Sequence, residues 1–252
     1  MKSITLTLSG NTTDFTMSFH PPIKLDPKKE YEAAFLSLET YNSIPNITEN
    51  NNTFKYSTDD GNTWKIIKLP TDAYEYTQIA DEIQRQMIEN NDFDSNETKK
   101  DFYINFSICR LSSLIEIKNP RYKIDFGVEN SIGRTLGFSN EILTQGIHKS
   151  PKIVDITNIN SILINVDFIE GGYVNKTYSH AIHNFSPKVG PGYKIFEQPS
   201  PELIFYRVYK DFIPDVRVWL TDQNQNVINL QGERITVRIL IREAFTASLY
   251  SQ

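Results

Sequence analysis

Cysteine is nearly missing from this chain. Cys109 is the only one among 252 residues, so no disulfide can close within it and no cysteine cage for zinc can form. Basic clusters are missing too. Lys and Arg number 26 against 31 Asp and Glu, a net charge of -5 with a pI near 5.5. Tight binding to nucleic acid through phosphate neutralisation is therefore not expected. No apolar run is long enough to span a bilayer. The stretch Met1–Leu8 alternates polar and apolar residues and lacks the continuous apolar core of a signal peptide. Together these features predict a protein made in the reducing interior of a cell, cytoplasm or nucleus, and not secreted. Asn-x-Ser/Thr triplets at Asn11, Asn46, Asn51, Asn96, Asn105, Asn175 and Asn184 then read as chance in an Asn-rich chain.

Catalytic signatures are equally scarce. There is no Gly-x-Ser-x-Gly elbow and no P-loop. Gly190-Pro191-Gly192-Tyr193 lacks the Lys-Ser/Thr that would follow in a phosphate loop, and Pro191 removes an N–H donor. It reads as a turn before a strand. Four histidines occur: His20, His148, His180 and His183. His180 and His183 stand three apart, so a strand would point them to opposite faces and a shared metal is not expected. Asp59, Asp60 and Asn62 have oxygen ligands for Ca²⁺ but not the spacing of an EF-hand loop, and a solvated hairpin tip is expected there. Arg110 beside Cys109 suits a lowered thiol pKa, but no base stands nearby, and Cys109 reads as a buried structural thiol. A cupin would need a histidine cluster on two strands, which no segment supplies. The expectation is a non-enzyme with no catalytic residue, no metal and no cofactor.

What the chain has is β-prone sequence. Hydrophobic residues make up 39% and aromatics 12%, enough for a real core rich in Tyr, Phe, Ile and Val. Ile4, Leu6 and Leu8 alternate with Ser3, Thr5 and Thr7, a strand with one wet face. Phe15–Phe19 resumes the alternation, and Pro21-Pro22 is expected to stop it. Tyr31–Tyr41 is a long β-prone segment, although Glu32-Ala33-Ala34 also suits a helix. Phe54-Lys55-Tyr56 and Trp64–Ile67 flank Asp59-Asp60-Gly61-Asn62, a hairpin signal. Thr77–Glu89 is the one convincing helix: Ile79, Ile83, Met87 and Ile88 form an apolar stripe, with Thr77 as N-cap. Asn90–Lys100 reads as loop. Strands follow at Phe102–Ile108, Leu114–Lys118 and Tyr122–Phe126, and a helical turn over Ser131–Leu136 ends at Gly137. In the second half the candidates are Ser161–Ile169, Tyr178–Phe185, Tyr193–Phe196, Leu203–Val208, Val216–Leu220, Val227–Leu230 and Ile235–Ile241. Many short strands and no βαβ rhythm predict an all-β, antiparallel sandwich or barrel with one flanking helix. The internal boundary is expected at Gly146–Pro151, giving halves 1–145 and 146–252. They would form either one intertwined domain or two compact jelly rolls. Trp219 sits in an alternating strand and is expected in the core. An alternative reading, a glycan- or receptor-binding sandwich, would use Tyr173, Tyr178 or Trp219 as exposed stacking platforms.

Two segments carry a family resemblance. The first runs Trp64–Tyr74, then the helix, then strands to Ile124-Asp125-Phe126, and closes on Ser131-Ile132-Gly133-Arg134-Thr135-Leu136-Gly137-Phe138. The second begins at Ser161–Val166 and ends with Val218–Gln225 and Gln231–Ile239; Tyr41–Asn46 followed by Asn51–Phe54 fits the same pattern. In that order they resemble the capsid proteins of Polinton/Maverick elements and their adintovirus relatives. One departure is Ala73, where the pattern expects Gly before Tyr74. The resemblance implies a jelly-roll capsid component of a double-stranded DNA virus or virus-like transposon. At this length it implies the penton-type minor capsid protein, with a compact double jelly-roll major capsid protein as the alternative. The family brings no catalytic residues. The partners it implies are copies of itself, a homopentamer first and a trimer next, and other capsid proteins. Loops Asn42–Thr53 and Asn90–Lys100 are expected to carry contacts that set curvature.

Overall fold

The computed structural model describes residues 3–96, 99–156, 159–174 and 176–245. The chain begins with β1 (Ser3–Gly10), β2 (Asp14–Lys24), β3 (Tyr31–Tyr41), β4 (Thr53–Ser57) and β5 (Lys65–Lys68), followed by the helix α1 (Tyr76–Glu89). Next come β6 (Asp94–Asn96), β7 (Lys99–Asp101), β8 (Ile104–Cys109), β9 (Ser112–Ile117), β10 (Lys123–Asp125), β11 (Ile142–Leu143) and β12 (Gly146–Lys149). The rest is β13 (Ile162–Val166), β14 (Gly172–Val174), β15 (Thr177–Ser179), β16 (Ala181–Phe185), β17 (Lys194–Glu197), β18 (Phe205–Arg207), β19 (Phe212–Thr221) and β20 (Ile235–Glu243).

The chain divides into two units, one set inside the other in sequence. Residues 1–44 and 159–252 make the first; 45–158 make the second. The boundary expected at Gly146–Pro151 is therefore not where the chain divides. β12 lies there, and it pairs along its whole length with β9 of the inserted unit. The first strand and the last are partners, since β1 pairs antiparallel with β20 from Ser3–Arg242 to Gly10–Ile235. A cut into consecutive halves would sever that ladder.

The first unit is a jelly roll of two sheets, one of five strands and one of four. One sheet has the order β1-β20-β3-β17, with β18 also on β3; the other has the order β16-β13-β19-β2. All pairings are antiparallel. Between the sheets lie Leu6 and Leu8 of β1, Phe35 and Leu38 of β3, and Ile235, Val237, Ile239 and Ile241 of β20. Facing them are Ile162, Ile164 and Val166 of β13 and Val216, Val218 and Leu220 of β19. This is the period-two pattern of the sequence laid face to face. The long β3, which also suited a helix, is a strand because it is central to its sheet and both neighbours need its backbone. A register shift against β20 at Leu36 changes which residues point inward, from Ala33 and Phe35 before it to Leu38 and Thr40 after it. A bulge does this by adding one residue to one strand.

Pro21-Pro22 does not stop β2. The strand continues to Lys24 because it is the edge of its sheet, and its pairing with β19 jumps from Ile23–Ile213 to Ser18–Asp215. The prolines fall in the skipped stretch, where no ladder N–H is required. Val227–Leu230 is not a full strand either. Only an isolated Thr221–Val227 bridge forms, with Ile228 N–H donating to the Leu220 carbonyl at 3.2 Å.

The inserted unit is built differently. Its larger sheet has the order β11-β10-β4-β5 and its smaller one β12-β9-β8. In the larger sheet β10 lies beside β4, a crossover past the helix and β6–β9. The β4–β5 hairpin forms as expected, with Asp60 at φ 66° and Gly61 at φ 93° in its turn. The helix begins one residue earlier than expected. Glu75, not Thr77, is its N-cap, and Gln78 Oε1 accepts the Glu75 N–H at 2.7 Å. Ile79, Ile83 and Met87 are buried together with Phe54, Ile104, Phe106 and Ile115. Ser131–Phe138 closes as a helical turn: Gly137 N–H donates to Arg134 and Phe138 N–H to Gly133, with Gly137 left-handed at φ 84°. Within Asn90–Lys100, read as loop, β6 pairs with β7. Ala73, standing where glycine was expected, does not have a positive φ, so the turn there forms without one.

Candidate interaction surfaces

The residues with chemical potential are dispersed. His180 bonds through Nδ1 to the Ile169 carbonyl at 3.2 Å. His183 reaches Glu197 Oε1 at 3.0 Å and stacks on Phe35 at 4.4 Å between ring centroids. His148 Nε2 lies 2.6 Å from the Thr144 carbonyl. Among the described residues no three His, Cys, Asp or Glu side chains come together as a metal would need. The Asp59 carboxylate is taken up by its own turn, accepting from Thr63 N–H and hydroxyl and from Ser57. Those donors, the Thr63 hydroxyl first, hold its pKa down to about 2. Gly190–Tyr193 is a turn: Gly192, at φ 78°, donates its N–H to the Asn42 carbonyl at 2.8 Å just before β17.

Two expectations about burial are corrected. Cys109 is exposed, not buried. It ends β8, where Ser107, Ile108 and Cys109 have all left the core and Arg110 turns the chain back at φ 59°. Trp219 is half-buried and outside the core. Its neighbours Val218 and Leu220 take the inward positions of β19, so the alternation that suggested burial places the indole on the opposite face.

That outer face bears a row of rings. β14 and β15 form a hairpin outside the two jelly-roll sheets, pairing Tyr173 with Tyr178. The centroids of Tyr173 and Tyr178 are 5.8 Å apart, those of Tyr178 and His180 5.2 Å, and those of His180 and Trp219 6.1 Å. The Arg217 guanidinium lies 4.9 Å from the Trp219 centroid. It also grips Asp14 through Nε and Nη2, at 2.8 and 2.5 Å. The hydrogen bonds from Arg217 hold the Asp14 carboxyl below its usual value. The hairpin is fixed from beneath. Ser179 Oγ donates to Asn165 Oδ1 at 3.1 Å, and Asn165 Nδ2 donates to Thr221 Oγ1 at 3.2 Å. Gly171 permits the crossing, since a Cβ there would stand 1.8 Å from the Ser179 carbonyl oxygen. The three aromatics considered singly in the sequence thus share one surface. The single strand expected over Tyr178–Phe185 is divided at His180 between β15 and β16.

The outer face of the other sheet is laced with ion pairs that close within the chain: Glu32–Arg242, Glu39–Lys194 and Lys29–Glu243. Tyr41 and Phe196 are exposed on that face, and Tyr193 is exposed just before β17. In the inserted unit, Asn46 of the loop Asn42–Thr53 is buried. It donates to the Tyr74 and Ile156 carbonyls at 2.7 and 3.0 Å, and buried Asn52 donates to the Leu69 carbonyl at 2.8 Å. These side chains brace the loop, while its Glu49 and Asn50 stay exposed. Elsewhere in this unit, Asp92 accepts from Tyr56 at 2.5 Å and from Lys65 at 2.7 Å.

No family model matches the sequence, and no curated protein matches it. The fold does have a likeness among solved structures. A selenomethionine-labelled mavirus penton protein superposes with a TM-score of 0.52 over 96% of this chain and 100% of its own, at 11% identity. What the two share at that identity is a fold.

Proposed function

We propose that this chain is a structural virion protein, a capsid component of the vertex-forming penton type that assembles with copies of itself in a double-stranded DNA virus or virus-like transposon. The observation that carries the reading is the complete jelly roll with a second unit inserted between β3 and β13, in a chain that resembles the mavirus penton protein from end to end. The jelly roll suits the task physically. Most of its edge strands are short or interrupted, so it meets neighbours through side-chain surfaces rather than open ladders. Rings close through head-to-tail contacts, and five copies are favoured over three.

The protein works in the capsid, is made inside the host cell, and contacts other capsid proteins as well as itself. It performs no catalysis and uses no cofactor. No described helix is long and apolar enough to cross a membrane. Light scattering coupled to size-exclusion chromatography, with negative-stain microscopy of the same fractions, tests the reading. Five-membered rings are expected; monomers at every accessible concentration would reject it.

A further inference from the structure

The inserted unit carries a polar cleft of about 380 Å³, within the size range of small-ligand sites. Three segments wall it: the loop at Asn50-Asn51, the turn from Asn130 to Thr135, and the chain at Asp155. Val128 is the one apolar residue among those that line it.

The walls are tied to one another. Asn51 Oδ1 accepts from the Thr48 N–H at 2.8 Å and the Thr48 hydroxyl at 3.1 Å. Its Nδ2 donates to the Asn46 carbonyl at 2.9 Å and to Thr135 Oγ1 at 3.1 Å. The Thr53 N–H donates to the Asn130 carbonyl, and the Ile132 N–H returns to the Thr53 carbonyl, both at 2.9 Å. The Asp155 N–H donates to the Thr135 carbonyl, also at 2.9 Å. The cleft is therefore shaped before any ligand arrives, which lowers the entropy lost on binding.

Its polar groups, by contrast, are left over. Among the described residues, the side chains of Asn50, Asn130, Arg134, Asn140 and Asp155 make no hydrogen bond and no ion pair. Exposed amides alone would mean little. Thr135, however, lines the same cleft and is only 5% exposed. Its oxygen accepts from Asn51, but its hydroxyl proton has no acceptor among the described residues. A buried donor left open is unfavourable unless something fills it.

The donor set selects the ligand. Each amide offers an acceptor and two donors, Arg134 only donors, and Asp155 only acceptors. One positive and one negative group leave no net charge to favour an ion, and a single carboxylate is too little for Ca²⁺. Val128 alone is a poor anchor for a protein partner. Neighbouring hydroxyls, which donate and accept together, match the set.

We propose that this cleft binds a neutral saccharide, with Arg134 and the Thr135 hydroxyl donating to it and Asp155 accepting from it. No ring lines the cleft for stacking, so affinity per copy is expected to be weak, about millimolar. Saturation-transfer NMR on the full chain with lactose, maltose, cellobiose and mannobiose tests it. Transfer to at least one of these sugars is expected. Arg134→Ala and Asp155→Asn, both at exposed positions, are each expected to weaken binding by at least about tenfold with Tm unchanged. Tyr173→Ser, in the other unit, is expected to leave it as it was.

Transfer to none of the four sugars would overturn the proposal, and so would binding that survives both substitutions or that Tyr173→Ser abolishes. Transfer to glycylglycine and to no sugar would give the cleft to a peptide end instead. Assembly is read separately. Rings that bind no sugar would reject the saccharide and keep the capsid reading, and monomers that bind one would do the reverse.

Discussion

Asp92 shows how a single carboxylate can hold a fold together. It is 8% exposed, takes a hydrogen bond from the buried Tyr56, and pairs with Lys65, whose side chain is 39% exposed. Removing it leaves the Tyr56 hydroxyl without its acceptor and Lys65 without its counter-charge. Asp92→Ala is expected to lower stability by about 2 kcal/mol, less than a fully enclosed pair because Lys65 can reach water. Urea titration measures this, and an unchanged midpoint would mean that the cluster contributes nothing. The tyrosines nearby make an alkaline prediction. Burial first, and then the charge of Asp92, pushes the Tyr122 phenol from 10 up to about 12; Tyr56 is raised further, again chiefly by burial. In that window the unfolded chain has lost these protons and the folded chain keeps them. Their contribution is therefore complete below pH 10 and declines as pH rises toward 12. Melting followed by circular dichroism should show Tm falling across that interval, in step with late phenolate absorbance; a flat Tm would contradict it.

At the scale of elements, the turn closing on Gly137 is the sharpest case. The residue is left-handed at φ 84°, and a Cβ would stand 2.3 Å from the Lys152 carbonyl oxygen. Gly137→Ala combines an unfavourable backbone with a clash against main chain, and is expected to cost about 2–3 kcal/mol. Chemical denaturation of the purified variant tests it, and a loss under about 0.5 kcal/mol, the range of a neutral surface change, would mean the turn relaxes freely. Elements of this kind were legible in the sequence. The turn at Ser131–Gly137, the stripe Ile79–Ile83–Met87 and the alternation of β1 and β20 each carry their own local signal. What local signals do not hold is partnership. Nothing near Ile4 says that its neighbour is Ile241, and nothing near Pro21 says that β2 is an edge. Period also fixes only that alternate residues share a face, not which face is inside. Trp219 was misplaced for that reason, and Cys109 because its strand outruns the core it belongs to.

For the molecule as a whole, the decisive feature is a unit inserted within another. The buried cluster holding Leu8, Phe35 and Val218 and the one holding Phe54, Ile83 and Phe126 share no residue. Calorimetry of the intact chain is expected to depart from a single two-state transition, with Asp92→Ala moving the component that belongs to residues 45–158 and leaving the other in place. One sharp transition that shifts as a whole would show the two cores to be coupled. The pairing of β1 with β20 also sets an order of events on the ribosome. Residues 45–158 are contiguous and can collapse as soon as they emerge. β1 must wait for a partner more than two hundred residues downstream, so the jelly roll is completed only after the inserted unit has emerged.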